Sequence, residues 1–139
     1  FFFKQKTAYE IDIDWSSDVC SSDLGGDGRY GRIINLSTDA AQTFAGQIAY
    51  GASKATIEAF TRSIAIEVGP LGITVNAVAP GPVQTGWMTP DLVEANAAVI
   101  PLRRVGEPAD IADVIVFLAS DQARWQTGQV IKVSGGHEI

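Results

Sequence analysis

The chain has 139 residues, 46% hydrophobic and 19% charged, enough for one globular domain with a real core. Its formal charge of -6, with ten Lys and Arg that are scattered apart from Arg103-Arg104, excludes the clustered positive surface that nucleic acid requires. No run approaches the roughly 18 consecutive apolar residues of a membrane span, and Phe1-Phe2-Phe3-Lys4 reverses the order of a secretory signal.

Cys20 stands alone, so no disulfide framework is expected and a reducing, cytoplasmic setting follows. His137 is also single and reads as a solvated tail residue, because a zinc site needs three or four converging ligands; no metal is expected.

Residues 1–24 mix aromatics with Ser and Asp and hold neither helical nor strand periodicity beyond Tyr9 to Asp14. They resemble translated sequencing-adapter DNA joined abruptly to Gly25-Gly26-Asp27-Gly28, and are set aside as a non-native extension; a genuine, poorly ordered extension is the alternative. From residue 25 onward, strand and helix alternate as in a parallel α/β layer structure. A short strand is predicted over residues 32–36. A helix over about residues 49–68 follows, with Ile57, Phe60, Ile64 and Val68 spaced three or four apart on one face and Gly69-Pro70 as its stop. Residues 73–78 are nearly all apolar or β-branched, as in a strand buried on both faces, and Pro80-Gly81-Pro82 ends them. A third helix opens at Glu107-Pro108 with Ile111, Val114, Ile115 and Leu118 buried, and a last strand covers residues 129–133, closed by Gly135-Gly136.

Tyr50 and Lys54 are four apart, so both side chains leave one face of the helix. An ordinary tyrosine titrates near 10, and a lysine ammonium beside it favours the phenolate. Ser37 lies thirteen residues before Tyr50, at the carboxyl end of the first strand, where parallel sheets place their ligand crevices. A hydroxyl there is suited to donate to a substrate carbonyl. The turn Pro80-Gly81-Pro82-Val83-Gln84-Thr85 sits at the carboxyl end of the next strand, with backbone groups and the Thr85 hydroxyl placed to meet a carboxamide or phosphate.

The order Asn35-Leu36-Ser37, Tyr50-x-x-x-Lys54, Asn76-Ala77-Val78-Ala79-Pro80-Gly81-Pro82-Val83-x-Thr85, Gly106-Glu107-Pro108, then Thr127-Gly128-Gln129 with Gly135-Gly136 resembles the short-chain dehydrogenase/reductase family, over residues 28–136. The resemblance implies the C-terminal half of a Rossmann-type doubly wound parallel sheet, about three strands with flanking helices, in an oxidoreductase similar to 3-oxoacyl-carrier-protein reductases. It implies that Tyr50 is the acid/base, that Lys54 lowers its pKa and holds the nicotinamide ribose, and that Ser37 polarises the carbonyl, with Thr38 as the second candidate. Pro80, Gly81, Val83 and Thr85, with Tyr50 and Lys54, are then the contacts to NAD or NADP. About 4 kcal/mol is needed to bring the phenol to neutral pH, more than one exposed charge supplies, so the positive oxidised nicotinamide is expected to contribute. Residues 86–100 correspond to the family's substrate lid, and Trp87, Met88, Leu92, Val99 and Ile100 either favour a greasy ketone or alcohol or simply pack on the domain.

The family's N-terminal strand, glycine-rich pyrophosphate turn and Asn-Asn-Ala-Gly segment are absent, and Gly25-Gly26-Asp27-Gly28 is not that turn because it precedes a strand. Ser134 stands where the family usually has Asp. The expectation is therefore a parent dehydrogenase, homo-oligomeric, acting on a small carbonyl or alcohol, whose 139-residue piece is inactive. An inert oligomerisation module built on the residue 50–68 helix, with small Ala52, Ala55 and Ala59, is the alternative.

Overall fold

The computed structural model describes residues 31–41, 43 and 45–138; the proposed extension and Gly25 to Gly28 lie outside the described residues. Three parallel strands, β1 (Gly31–Leu36), β2 (Ile73–Pro80) and β3 (Val130–Val133), form one sheet in the order β1-β2-β3. Between β1 and β2 runs the long helix α1 (Ile48–Val68); between β2 and β3 come α2 (Pro90–Val99) and α3 (Pro108–Ala119). The predicted parallel α/β arrangement is present, with β2 two residues longer than expected because Ala79 and Pro80 still pair with Lys132 and Val133. Helix α2 was not anticipated. Its start is nonetheless encoded: the Thr89 hydroxyl accepts from Leu92 N–H, and Pro90 takes the first turn, where no N–H is needed.

Pairing runs Gly31 with Ile73 through Leu36 with Val78, so odd-numbered residues of β1 and β2 share one face of the sheet. Helix α3 covers the even face as its apolar periodicity predicts: Ile111 and Leu118 are buried against Val78, Val83 and Ala123, with Ile34, Leu36, Ile131 and Val133 around them. Helix α1 covers the odd face differently. Its buried residues are Gly51, Glu58, Thr61 and Ala65, while Phe60 is 59% exposed and Ile57, Ile64 and Val68 are only half-buried. The apolar face that the spacing marks is therefore not the face that α1 buries most deeply. The reason lies toward the carboxyl end of the sheet, where the odd face carries Asn35, Ser37, Ala77 and Ala79, while Ile33, Ile73 and Val75 lie nearer its amino end. Small side chains let the helix come close, and Asn35 Nδ2 donates to Thr61 Oγ1 at 2.9 Å, a bond that a wall of isoleucines would prevent.

The motif Thr127-Gly128-Gln129 sets the register of β3. Thr127 Oγ1 accepts from Val75 N–H at 2.9 Å, Gly128 N–H donates to Val75 O at 2.7 Å, and the buried Asn76 amide spans Gln126 O and Gln129 N–H. Gly128 has φ +71°, which explains the glycine there. Among the described residues no helix is long and apolar enough to cross a membrane.

Candidate active site

The residues singled out from sequence gather at the carboxyl ends of the strands, the edge where open parallel sheets bind ligands. Tyr50 lies in the first turn of α1 and Lys54 one turn later, with Lys54 Nζ 5.7 Å from the centroid of the Tyr50 ring. The ammonium also donates to Leu36 O, the last residue of β1, at 3.0 Å. That bond fixes the start of the helix to the end of the strand. Partial burial lowers the Lys54 pKa from its ordinary value, because desolvation disfavours the charged form.

The two candidate hydroxyls have different fates. Ser37 is 5% exposed, and its Oγ donates to Glu58 Oε1 at 2.9 Å, with a longer contact of 3.5 Å to Lys54 O. Glu58, itself 6% exposed, sits one turn beyond Lys54 on the buried face of α1. Thr38 is half-buried, and its hydroxyl reaches Asp39 Oδ1 at 3.4 Å, a long contact that leaves it freer to turn. Glu58 was not anticipated as a partner, although its i, i+4 spacing from Lys54 was a usable signal.

The turn after β2 is clamped from both sides. Gly81 N–H donates to Val133 O at 3.1 Å, while Gly106 N–H donates to Pro82 O and Gln84 N–H to Gly106 O, each at 2.9 Å. The Gly106-Glu107-Pro108 motif thus holds this turn in place, and a Cβ on Gly106 would press to 3.2 Å from Val83 Cγ2. Val83 turns its side chain into the α3 core, so the turn offers its backbone there. Thr85 Oγ1 is shut off from solvent and has no hydrogen-bond partner among the described residues. An orphaned hydroxyl at this turn fits a ligand carboxamide or phosphate reaching it.

In residues 86–100 Met88 and Ile100 are buried at 7% and 1%, whereas Trp87, Leu92 and Val99 are exposed, so part of the segment's apolar character anchors it and part remains outward. Gln84 ties its base: Oε1 accepts from Gly86 N–H at 2.9 Å and Nε2 donates to Met88 O at 3.0 Å. The far end of this segment rests on Gly135 and Gly136, where a Cβ on Gly135 would stand 2.9 Å from Ile100 Cγ2 and one on Gly136 2.8 Å from Pro101 Cγ. A cavity of about 150 Å³ between Pro82, Arg104, Asp110 and Gly135 includes neither Tyr50 nor Lys54 and is small for a cofactor. Its Arg104 and Asp110 satisfy each other in a bidentate pair at 2.6 and 2.7 Å, and Asp110 also accepts Glu107 N–H at 2.7 Å. Arg104 holds the Asp110 carboxyl well below the usual carboxylate range. This pair caps α3.

His137 departs from the solvated tail residue expected. Its Nδ1 lies 2.7 Å from Asp39 Oδ2, across 98 residues of sequence, a spacing that no local pattern signals.

With this geometry in place, the family model described as enoyl-(acyl carrier protein) reductase matches residues 21–138. The chain belongs to the short-chain dehydrogenase/reductase family. Among relatives in this family, the chain is 50% identical over 113 residues to the 3-oxoacyl-[acyl-carrier-protein] reductase FabG of Pseudomonas aeruginosa, covering 78% of this chain and 45% of that protein. It is 49% identical over 107 residues to the uncharacterized oxidoreductase YjdA of Bacillus subtilis, covering 76% of this chain and 43% of the relative. A solved 3-oxoacyl-[acyl-carrier protein] reductase from Brucella melitensis with bound NAD superposes with a TM-score of 0.71 at 36% identity, covering 78% of this chain and 41% of that one. The chain therefore spans less than half the length of these dehydrogenase/reductase relatives, and the three-stranded sheet is part of a Rossmann-type fold.

Proposed function

We propose that the complete protein carrying this sequence interconverts a carbonyl and a secondary alcohol by hydride transfer with NAD or NADP, and that Tyr50 is its acid/base. The observation that carries this reading is the pairing of Tyr50 with Lys54 at the carboxyl end of β1, where Lys54 Nζ is tethered 3.0 Å from Leu36 O beside two hydroxyl residues. The nicotinamide, when bound, supplies or accepts the hydride. The chain's own residues manage the proton: the Tyr50 hydroxyl gives it to the carbonyl oxygen in reduction and takes it back in oxidation, and the Lys54 ammonium favours the phenolate. Pro80, Gly81, Val83 and Thr85 hold the nicotinamide end, a role supported by the orphaned Thr85 hydroxyl and by a turn braced from both flanks.

For the hydroxyl that polarises the carbonyl, Thr38 is favoured over Ser37. Ser37 fills that role only by giving up its bond to Glu58, which leaves a buried carboxylate without its donor. A 3-oxoacyl thioester is the substrate class favoured by the names of the relatives, and the apolar outward lid residues suit an acyl chain. Residues 1–24 are read as non-native, residues 25–139 as the C-terminal part of the nucleotide-binding domain, and the protein as a cytoplasmic homo-oligomer. The exposed Ile48, Phe60 and Ile66 on α1 support that pairing. They also favour the second reading, an inert oligomerisation module.

The deciding experiment expresses the coding sequence upstream of Gly25 together with residues 25–139 and measures reduction of acetoacetyl thioester with NADH and NADPH. Tyr50→Phe is expected to lower turnover by at least about a hundredfold while cofactor binding persists. Unchanged turnover in that variant overturns the assignment. The 139-residue chain alone is expected to show none; self-association without turnover in the extended protein as well favours the inert module.

A further inference from the structure

The carboxyl ends of all three strands meet at a contact that the catalytic reading leaves unused. Asp39 follows β1, and its backbone N–H donates to Pro80 O at the end of β2 (3.1 Å). Its carboxylate side chain is 4% exposed, with Oδ2 lying 2.7 Å from Nδ1 of His137, beyond β3. The other oxygen, Oδ1, accepts the 3.4 Å contact from the Thr38 hydroxyl. Gly81 passes between these loops so closely that a Cβ there would stand 2.7 Å from Ser134 Cβ and 3.0 Å from Asp39 Oδ2. His137 is held in turn by Ser134, which accepts its backbone N–H at 3.2 Å and donates its hydroxyl to the His137 carbonyl at 2.9 Å.

A carboxylate this buried is costly unless it is paired, and the imidazole is the partner that reaches Oδ2. The bond draws negative charge toward Oδ2 and away from Oδ1. Thr38 is then held only by a long, weak contact, from which its hydroxyl turns to a carbonyl at little cost. With the imidazole gone, the side-chain donor that still reaches Asp39 among the described residues is the Thr38 hydroxyl, which the carboxylate then captures.

We propose that Asp39 and His137 form a positioning pair that keeps the Thr38 hydroxyl available to the substrate carbonyl, so that the segment after β3 governs the polarising group at the end of β1. The proposal rests on the assignment of Thr38 as that group. Neither Asp39 nor His137 touches the reacting atoms; both act through Thr38.

The test uses the complete enzyme and the same thioester assay. His137→Ala is expected to lower kcat by about ten- to a hundredfold, no more than loss of the donor itself, with KM for the cofactor little changed. His137→Gln, whose amide still donates to Asp39, recovers most of that loss. So does adding Asp39→Asn to His137→Ala, because a neutral amide no longer captures the hydroxyl. A merely structural contact predicts the reverse, with two lesions worse than one. Unchanged kcat in His137→Ala, or a loss that neither the glutamine nor the added asparagine restores, overturns the pair. Should His137→Ala not fold, His137→Phe, which keeps a ring but cannot donate to Asp39, carries the same test alone and with Asp39→Asn added, and absence of recovery in the double variant counts against the pair. Thr38→Val separates the two assignments: if it cripples kcat while His137→Ala does not, the pair alone fails, and if it leaves kcat intact, the role of Thr38 fails with it.

Discussion

The two faces of the sheet are covered by helices that use opposite chemistry. On the even face α3 buries Ile111 and Leu118 against Val78 and Val83, an apolar contact whose only demand is shape and volume. On the odd face α1 buries Glu58 and Thr61 against Ser37 and Asn35, where each polar group must find a particular partner. The difference bears on the candidate site, whose proposed residues Tyr50, Lys54, Ser37 and Thr38 lie on the α1 side or beside it. A face that must orient Tyr50 and Lys54 needs directional bonds between helix and strand end, and the bonds Lys54 to Leu36 O and Ser37 to Glu58 supply them.

The largest expected effect tests the apolar side. Leu118→Ala, at a fully buried position, should cost about 2 to 5 kcal/mol in urea unfolding of the complete protein, with no selective effect on turnover beyond the loss of folded protein. A cost below 1 kcal/mol on the order-of-magnitude scale of surface changes would mean that α3 does not anchor the sheet. On the polar side, Ser37→Ala should cost about 1 to 3 kcal/mol because Glu58 loses its donor, while turnover of the folded enzyme stays within a few-fold; a collapse of turnover without loss of stability would return the polarising role to Ser37.

The smallest effect is a pH slope. Burial makes folded Lys54 a weaker base than in the unfolded chain. Between the lowered value and the ordinary lysine value, the unfolded chain therefore binds more protons, and stability rises as pH rises through that window. Below the window the desolvation cost is present in full. Lys54→Met should flatten this alkaline rise in thermal-melting profiles, whereas an unchanged slope would assign it to other groups.

The α3 side was legible in the sequence almost residue by residue, because Ile111, Val114, Ile115 and Leu118 repeat at helical spacing and apolar burial follows periodicity. The α1 side was legible in its motif and misleading in its stripe. Ile57, Phe60 and Ile64 have the right spacing for an inward face, yet the small and polar odd face of the sheet receives Thr61 and Ala65 instead. Helix α2 escaped notice because Pro90-Asp91-Leu92-Val93-Glu94-Ala95-Asn96 reads as a lid of mixed character, although Thr89 caps it.

By itself the sequence determined the element order, the parallel α/β class, the family and the positions of Tyr50 and Lys54, since all of these rest on spacing along the chain. Only the tertiary structure decided which face of α1 is buried, that the Ser37 hydroxyl donates to Glu58, and that Asp39 and His137 meet across 98 residues. Those are contacts between segments that periodicity treats separately. Their geometry depends on how closely a helix approaches a sheet and on where the ends of three strands converge.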